Sequence, residues 1–261
     1  MKDLHSFNEQ VFHFAIKRKL FTFMLKFDII TIFPEIFSGF LDESLIKKAQ
    51  DNKRLKISIH DLRDWAKDRR RTIDDSPYGG GSGMVMKVEP VFQAISKLAK
   101  LKASGKKIRP VKKNCQVVSF SPRGRQFTQQ IASRLSKLDQ IILLCSRYEG
   151  LDERVAQNIV DLELSMGDFD LMGGEVPAMA VIEAVSRLIP GVIGNKNLLK
   201  ERIGIERGFF EYAQYTRPEV FCPKKGICWK TPKVLLSGDP KKIGEWRKKH
   251  GRIIGDKKAH S

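Results

Sequence analysis

A nearly continuous apolar run, Gln140 to Cys145, is the feature of this chain that most restricts its fold. A strand that is apolar on both faces is typical of a parallel sheet covered by helices on both sides. Three strand patterns precede this run, at Phe27 to Ile32, Leu55 to Ile59 and Cys115 to Phe120, and Ile159 to Leu164 follows it. Helical patterns separate the strands. This alternation predicts an α/β domain with a mainly parallel sheet.

The helical patterns have signals of their own. Pro34 opens a helix that is predicted to run to about Asn52, and Glu89-Pro90 starts a second one. A third helix is predicted near Thr128 to Leu138. A fourth begins at Pro177, and its apolar residues recur with the 3.6-residue period of a helix. They are Ala178, Val181, Ile182 and Val185.

The regions outside this α/β domain differ from it in pattern. At the N-terminus, Lys17-Arg18-Lys19 interrupts the apolar positions, and Met24 directly precedes the first strand. We therefore predict an extension that precedes the biological start, with an ordered helix as the alternative. Near the C-terminus, a short basic helix is predicted from Asp239 to about Lys249. The predicted parts are an extension (1–23), the α/β domain (24–190), an interdomain linker (191–206) and a small helical C-terminal domain (207–261).

The charge of the chain indicates the class of its partner. Among 261 residues, 48 Lys and Arg face 30 Asp and Glu, which gives a net charge of +18. Such an excess favours a polyanion, because Lys and Arg displace the counterions of nucleic acid. The stretch between Arg154 and Arg187 inverts the pattern, with six acids and no basic residue. It could suit a cationic small molecule beside an anionic polymer, or be a buried segment with acids at its loop ends.

Composition also argues against other classes of protein. No stretch of about 18 residues is free of charge, which excludes a transmembrane helix from the prediction. The four cysteines have neither metal-ligand spacing nor the density of a disulfide framework, so thiols in a reducing cytoplasm are predicted. They are Cys115, Cys145, Cys222 and Cys228.

Four glycine-containing loops carry the candidate chemistry. The first, Asp68 to Gly83, has three consecutive glycines but lacks the Gly-Lys-Ser/Thr ending of an NTPase phosphate loop. The others are Ser119 to Arg125, Ser146 to Gly150 and Ser165 to Pro177. Each of these three leaves the carboxyl end of a predicted strand, where open α/β sheets bind ligands. One glycine loop is more often a simple turn, but three at one sheet edge predict a binding site.

Several motifs follow one another in order from about Met24 to Gly251. They are Phe33-Pro34-Glu35, the Asp68 to Gly83 loop, Ser121-Pro122, Arg147 to Arg154, Gly173 to Pro177, Ser186-Arg187, Ile189 to Val192 and Tyr215 to Val220. Together they closely resemble the bacterial tRNA (guanine-N(1)-)-methyltransferase family, TrmD. The resemblance implies methyl transfer from S-adenosylmethionine to N1 of guanosine-37, just 3′ of the tRNA anticodon. It also implies a SPOUT fold with a deep trefoil knot, and a homodimer whose active sites are shared between subunits.

The resemblance further assigns residues to the cofactor. It implies that S-adenosylmethionine contacts Ser119, Phe120, Ser121, Pro122, Ser146, Tyr148, Glu149, Gly150, Met166, Gly167, Asp168, Phe169, Asp170, Leu171, Gly173, Gly174 and Pro177. Ser146 departs from a position that is usually glycine in the family. Family members are associated with Mg²⁺, yet the sequence shows no dedicated all-oxygen cage and we predict no metal ligand.

The chemistry of guanine constrains the catalytic residues. Its N1 carries a proton at neutral pH that a positioned carboxylate can remove, while an arginine can stabilise the charge on O6. By resemblance the arginine is Arg187, whose alternative role is a cation stabilised by a helix C-terminus. The family's base is a linker aspartate that is absent from Leu199 to Ile205. Glu201 is predicted in its place, by analogy, and Glu206 is the reserve.

Basic residues on loops and in the C-terminal helix are the candidates for tRNA phosphates. They are Arg69, Arg70, Arg71, Lys241, Lys242, Lys248 and Lys249, and each has the alternative of an ordinary solvated cation. The main rival to an enzyme is a non-catalytic RNA-binding protein with a vestigial methyltransferase fold. It does not explain why three cofactor loops occur together. We therefore predict a cytoplasmic enzyme that acts on tRNA and has no membrane partner.

Overall fold

The computed structural model describes residues 24–105, 107–193, 203–204 and 208–254. The extension 1–23 and most of the predicted linker lie outside these residues. So do both candidates for the general base, Glu201 and Glu206.

The described chain alternates strands and helices, as predicted. The strands are β1 (Leu25–Thr31), β2 (Leu55–Asp61), β3 (Asp74–Asp75), β4 (Val85–Met86), β5 (Leu101–Ser104), β6 (Lys107–Pro110), β7 (Cys115–Gln126), β8 (Gln140–Leu144), β9 (Leu162–Ser165), β10 (Ile203–Gly204), β11 (Gly208–Tyr212), β12 (Val220–Lys224), β13 (Ile227–Lys230) and β14 (Gly251–Ile254). The α-helices are α1 (Ser38–Leu41), α2 (Ser44–Asp51), α3 (Val88–Ala99), α4 (Gln129–Leu135), α5 (Glu153–Asn158), α6 (Glu175–Ser186) and α7 (Pro240–His250). Short 3₁₀ helices occupy Pro34–Phe37, Leu62–Trp65 and Lys233–Leu236. None of the helices in the described ranges has the length and apolarity that crossing a membrane requires.

A five-stranded parallel sheet of order β2-β1-β8-β7-β9 organises the first part of the chain. Its central strand β8 is buried at every position. Ile141 and Leu143 pack with helices α2, α4 and α6 on one face, whereas Ile142 and Leu144 pack with α3 and α5 on the other. Because neighbouring residues of a strand point to opposite faces, a strand between two helical layers is apolar throughout. The prediction of an α/β domain with a mainly parallel sheet is confirmed.

Two local predictions differ from the structure. The helix predicted from Pro34 to Asn52 is divided, because Glu43 adopts an extended backbone (φ −118°, ψ 155°) before α2 begins. The basic stretch after α3, where the sequence predicts no strand, contains the hairpin β5–β6. That hairpin is largely exposed, so it lacks the alternation of apolar and polar residues by which a strand is recognised in sequence.

A buried ionic cluster surrounds Asp28 in the middle of β1. Its side chain is fully buried, and one oxygen lies 2.8 Å from Nε2 of His60. The other oxygen lies 2.9 Å from Nζ of Lys26 and accepts a hydrogen bond of 2.8 Å from the Gln140 amide. Burial raises the pKa of the Asp28 carboxyl, but these hydrogen bonds outweigh burial and hold that pKa below its usual value of 3.8. The ionised carboxylate is therefore part of the folded structure.

The Asp28 cluster makes the stability of the protein sensitive to acid. A carboxyl whose pKa is depressed on folding stabilises the protein above its unfolded pKa, and this contribution disappears as the pH falls through the folded pKa. We expect Asp28→Asn to lower the free energy of unfolding at pH 7 by on the order of 2 kcal/mol, through lost charged hydrogen bonds. The difference from the parent protein should begin to shrink below about pH 4, where aspartate protonates in the unfolded chain, and should go on shrinking as the pH falls to the depressed pKa of the folded state.

Chemical denaturation at a series of pH values measures this effect. The exposed Asp42→Asn is the control for removing one carboxylate. A destabilisation by Asp28→Asn that stays constant from pH 7 to pH 3 would contradict the assigned role.

The chain after the linker forms a second, smaller unit. Strands β10, β11 and β14 form an antiparallel sheet, and β12 and β13 form a hairpin. The predicted basic helix is present as α7, and the side chain of Asp239 caps it by accepting from the N–H groups of Lys241 and Lys242. The described part of this unit is thus mixed in structure, whereas a helical domain was predicted.

The prediction of four thiols is wrong for two cysteines. Cys222 and Cys228 form a disulfide across the β12–β13 hairpin, with their Cα atoms 4.1 Å apart. Strand pairing brings the two positions opposite each other, which their spacing in the sequence does not reveal. Cys115 and Cys145 are free and buried.

Candidate functional site

A cleft of about 240 Å³ opens at the carboxyl ends of β8 and β9 and beside the middle of β7, where the pairing of β7 with β9 is interrupted after Phe120. The segments that follow β8, β9 and the first part of β7 meet there, as expected for a ligand site in an open α/β sheet. Its volume is on the scale of a small molecule. The lining residues are Phe120, Ser121, Pro122, Ser146, Arg147, Tyr148, Glu149, Gly150, Leu164, Ser165, Met166, Phe169, Asp170, Leu171, Met172, Gly173 and Pro177.

Thirteen of the seventeen residues assigned to the cofactor line this cleft. Ser119, Gly167, Asp168 and Gly174 do not, and the first of them is buried inside β7. Arg147, Leu164, Ser165 and Met172 line it without having been assigned a role. The three loops are therefore brought together around one cavity, although they are far apart in sequence.

Two glycines that do not line the cleft pack closely against residues next to it. A Cβ atom at Gly174 would lie 2.7 Å from the Cα of Cys145, so only glycine lets the loop before α6 approach the end of β8 this closely. A Cβ atom at Gly167 would lie 2.6 Å from the ring of Phe169, which folds back over that glycine. Both residues support the cleft without facing it.

The glycine-rich loop before β4 holds the second cleft loop in place. The N–H of Glu149 donates to the carbonyl of Met84 at 3.0 Å, and that of Met86 donates to the carbonyl of Gly150 at 3.0 Å. Tyr148, directly before Glu149, has a φ of +59°, a left-handed conformation that is uncommon for a residue with a side chain. Such backbone conformations occur at sites where the surrounding structure enforces them.

A buried ion pair between two cleft loops is also hydrogen-bonded to the end of strand β1. The sequence did not predict this pair. Glu175, the first residue of α6, is only 1% exposed and accepts a hydrogen bond of 2.8 Å from Nε of Arg147. Its other carboxylate oxygen accepts a hydrogen bond of 2.8 Å from the hydroxyl of Thr31. The Arg147 guanidinium also lies 4.7 Å from the ring centroid of Phe33, a cation–π contact. Both charged residues lie within the quoted motifs, but sequence spacing did not indicate that they meet.

Some polar groups around the cleft make hydrogen bonds and ion pairs within the protein. The Ser146 hydroxyl donates to the carbonyl of Phe120 at 3.2 Å, so the serine at the usual glycine position points into the fold. The Ser121 hydroxyl donates to Glu163 at 2.7 Å, and Arg123 binds both Glu163 and Glu153. These contacts hold the middle of β7 in place.

Neither buried thiol is suited to nucleophilic chemistry. Burial raises the pKa of the Cys115 thiol to about 12. Burial also raises the pKa of Cys145, which directly follows β8 at the cleft, well above its ordinary value. Because the thiolate is the nucleophilic form, both cysteines are inert at neutral pH. In the described residues no three His, Cys, Asp or Glu side chains cluster as metal ligands do.

Arg187 lies at the far end of α6 from the cleft. The helix starts at Glu175 beside the cleft and is twelve residues long. At 1.5 Å per residue it spans about 18 Å, and Arg187 follows its last residue. Arg187 is not among the residues that line the cleft of the same chain.

The basic residues predicted to contact phosphates differ in whether they form ion pairs within the protein. Arg71 is engaged with Asp64 and Asp61, whereas Arg69 and Arg70 make no ion pair with the described residues. The four lysines of α7 are exposed. At 100° per residue they share one face of about 120°, with Glu245 in its middle. Arg109, in the basic stretch before β7, lies 3.2 Å from Asp161 and has a structural role.

Comparison with known proteins finds one family and many close relatives. Residues 25–258 match the family model described as tRNA (Guanine-1)-methyltransferase TrmD. The chain is 47% identical over 226 residues to a tRNA (guanine-N(1)-)-methyltransferase of Dictyoglomus turgidum, covering 87% of this chain and 84% of the relative. Proteins of the same name match at 45% identity in Geobacter sp. (86% and 84% covered) and in Carboxydothermus hydrogenoformans (88% and 83% covered).

Proposed function

Because the chain belongs to the TrmD family of tRNA (guanine-1)-methyltransferases, we propose that it transfers a methyl group from S-adenosylmethionine to N1 of guanosine-37 in tRNA. Membership of the family makes it a tRNA (guanine-N(1)-)-methyltransferase. The donor, the position just 3′ of the anticodon and a cytoplasmic location are the proposal. The observation that carries it is the meeting of three loops in one small-molecule cleft.

The residues of the cleft fit S-adenosylmethionine. Phe169 and Tyr148 are 55% and 53% exposed and offer aromatic faces to a planar base. Glu149 and Asp170 bring carboxylates to a ligand that carries a sulfonium and an ammonium group. A Cβ atom at Gly173 would collide with Arg147, so the backbone there is bare and can approach a ligand closely. When bound, S-adenosylmethionine supplies an electrophilic methyl group.

The catalytic roles are assigned by resemblance and analogy. We assign the removal of the guanine N1 proton to Glu201, with Glu206 as the reserve, and both stay predictions. Arg187 would stabilise the negative charge that spreads to O6 as that proton leaves. Methyl transfer requires in-line placement of the two substrates rather than a covalent nucleophile, which agrees with the raised pKa of Cys145. A role for Mg²⁺ is implied by the resemblance alone.

The distance along α6 supports a shared active site. If Arg187 acts on the guanine beside the methyl donor, it must approach a cleft that lies at the opposite end of its own helix, about 18 Å away. A homodimer in which Arg187 of one subunit serves the cleft of the other meets this requirement. We therefore propose the homodimer with active sites built from both subunits.

A tight chain crossing beside the cleft supports the knotted SPOUT topology, which we also propose. Strand β7 pairs with β9 in two separate stretches, with a register shift between Phe120 and Arg125. Between these stretches a Cβ atom at Gly124 would lie 2.6 Å from the backbone of Leu164. Crossings this close require glycine.

We propose that residues 24–190 form the catalytic domain and residues 207–261 the tRNA-binding domain. The lysine face of α7 then contacts phosphates, together with Arg69 and Arg70.

Replacing four lysines by glutamine should reduce the slope of log Kd against log salt concentration by about three, because each phosphate contact releases counterions. The four are Lys241, Lys242, Lys248 and Lys249.

Filter binding of a tRNA transcript between 50 and 300 mM salt measures this slope. A matched variant removes four exposed lysines of the first unit, Lys47, Lys48, Lys53 and Lys56, and has the same net charge. Equal slopes for the two variants would locate the phosphate contacts elsewhere.

Transfer of labelled methyl from S-adenosylmethionine to two tRNA transcripts tests the proposed function. One transcript carries guanosine 3′ of the anticodon, and the other carries adenosine at that position. We expect label in the guanosine transcript alone, with a reverse-transcription stop at that nucleotide. Cofactor and tRNA binding without label in either transcript would instead favour a vestigial enzyme that only binds RNA.

A further inference from the structure

The β12–β13 hairpin in the second unit presents two aromatic side chains that have no role in the proposed chemistry. Phe221 and Trp229 are directly paired across the two strands, with ring centroids 5.6 Å apart. They are 50% and 64% exposed, although both are large and apolar. All residues from Val220 to Lys230 are exposed. Large aromatic side chains grouped on an exposed surface mark a site of interaction.

The positive charge of the hairpin sequence favours a polyanion as the partner of this aromatic pair. Four lysines belong to the same short stretch of chain (Lys224, Lys225, Lys230 and Lys233), and no acidic residue lies between Val220 and Leu235. Lysine is depleted at protein–protein interfaces, so a second copy of the chain is the poorer occupant. Aromatic side chains next to basic ones are typical of surfaces that bind single-stranded nucleic acid, where bases stack and phosphates pair with cations.

The hairpin holds the pair in a defined position. The Cys222–Cys228 disulfide joins its two strands, and the N–H of Thr231 donates to the carbonyl of Glu219 at 2.8 Å at its base. Because neighbouring strand residues point to opposite faces, the aromatic pair lies on the face away from the disulfide. A surface that is ordered before binding loses less conformational entropy when the ligand arrives.

We propose that the β12–β13 hairpin is a tRNA-binding finger, in which Trp229 and Phe221 stack on unpaired bases while Lys224 and Lys225 contact the adjoining phosphates. This inference rests on the proposed function, because it takes tRNA as the nucleic acid that the hairpin binds. It adds a base-stacking surface to the lysine face of α7, which contacts phosphates alone.

Binding of the full-length protein to an unmodified tRNA transcript tests the proposal. The double variant Phe221→Ala/Trp229→Ala should raise the Kd for tRNA at least tenfold, since stacking on one base accounts for about that factor or more. The control Val220→Ala/Ile227→Ala removes two exposed apolar side chains from the same hairpin and should leave Kd within about twofold. Trp229→Phe keeps an aromatic ring and should restore most of the affinity.

Three further measurements separate the possible outcomes. The Kd for S-adenosylmethionine and the thermal midpoint should be unchanged, and the loss in methylation should appear in KM for tRNA rather than in kcat. If the double variant and the control bind tRNA equally well, the hairpin is not a stacking surface. If the double variant changes the sedimentation coefficient of the free protein while its tRNA affinity is kept, the pair packs against a second copy and the proposal is overturned.

The failure of this inference differs from a failure of the proposed function. A parent protein that binds tRNA without methylating it leaves the binding comparison intact and overturns only the reaction. A parent protein that binds no tRNA overturns both.

Discussion

Arg187→Ala is expected to lower kcat for tRNA methylation about 10²- to 10³-fold, the usual cost of removing one group that stabilises a developing oxyanion. The Kd for S-adenosylmethionine should stay the same, because Arg187 does not line the cleft of its own chain. The negative charge on O6 develops only as N1 loses its proton, so the loss should fall on kcat more than on KM.

Single-turnover methylation and cofactor binding by calorimetry measure these two effects. Arg134→Ala is the matched control, since Arg134 is an exposed arginine in the last turn of α4. If both variants lose the same small amount of activity, Arg187 is a cation at a helix C-terminus and has no catalytic role.

A heterodimer shows which subunit's cleft Arg187 serves. One subunit carries Arg187→Ala, the other carries a substitution that disables the cleft, and two different tags allow the mixed species to be purified. With sites shared between subunits, both defects fall in one site, and the heterodimer should retain about half of the parent activity. With each site contained in one subunit, both sites are defective and activity should stay at background.

Gly174→Ala is expected to weaken S-adenosylmethionine binding more than tenfold and to destabilise the protein by about 1–3 kcal/mol, the usual cost of overpacking. The new Cβ would lie 2.7 Å from the Cα of Cys145 and 3.0 Å from the N of Ser146. Both are backbone atoms at the end of β8, so no side chain can rotate away. The hydrogen bond from the Gly174 N–H to the Ser146 carbonyl, at 2.9 Å, would be strained by the same shift.

Thermal unfolding and calorimetric titration test this result. Gly39→Ala is the control, because Gly39 lies in α1 with no atom within 4 Å of the added Cβ. That substitution should leave both quantities unchanged or raise stability slightly. Parent-like affinity in Gly174→Ala would mean that the loop before α6 does not define the cofactor site.

Sequence patterns predicted the elements that follow a local rule of burial or backbone geometry. The apolar run at β8, the 3.6-residue period of α6 and the start of α7 at about Asp239 are examples, and the structure has each of them. The exposed hairpins β5–β6 and β12–β13 were missed, because an exposed strand has no apolar face to alternate. The disulfide within the second hairpin was missed with it.

The sequence by itself determined the α/β class, the family and the three loops that would meet, because parallel strands place their carboxyl ends at one edge of a sheet. Only the tertiary structure decided that Arg147 and Glu175 form a buried pair, and that Arg187 lies a helix length from the cleft of its own chain. Motif spacing specifies which residue types occur in which order. It carries no information on which side chains from distant segments come into contact, because folding brings them together through packing.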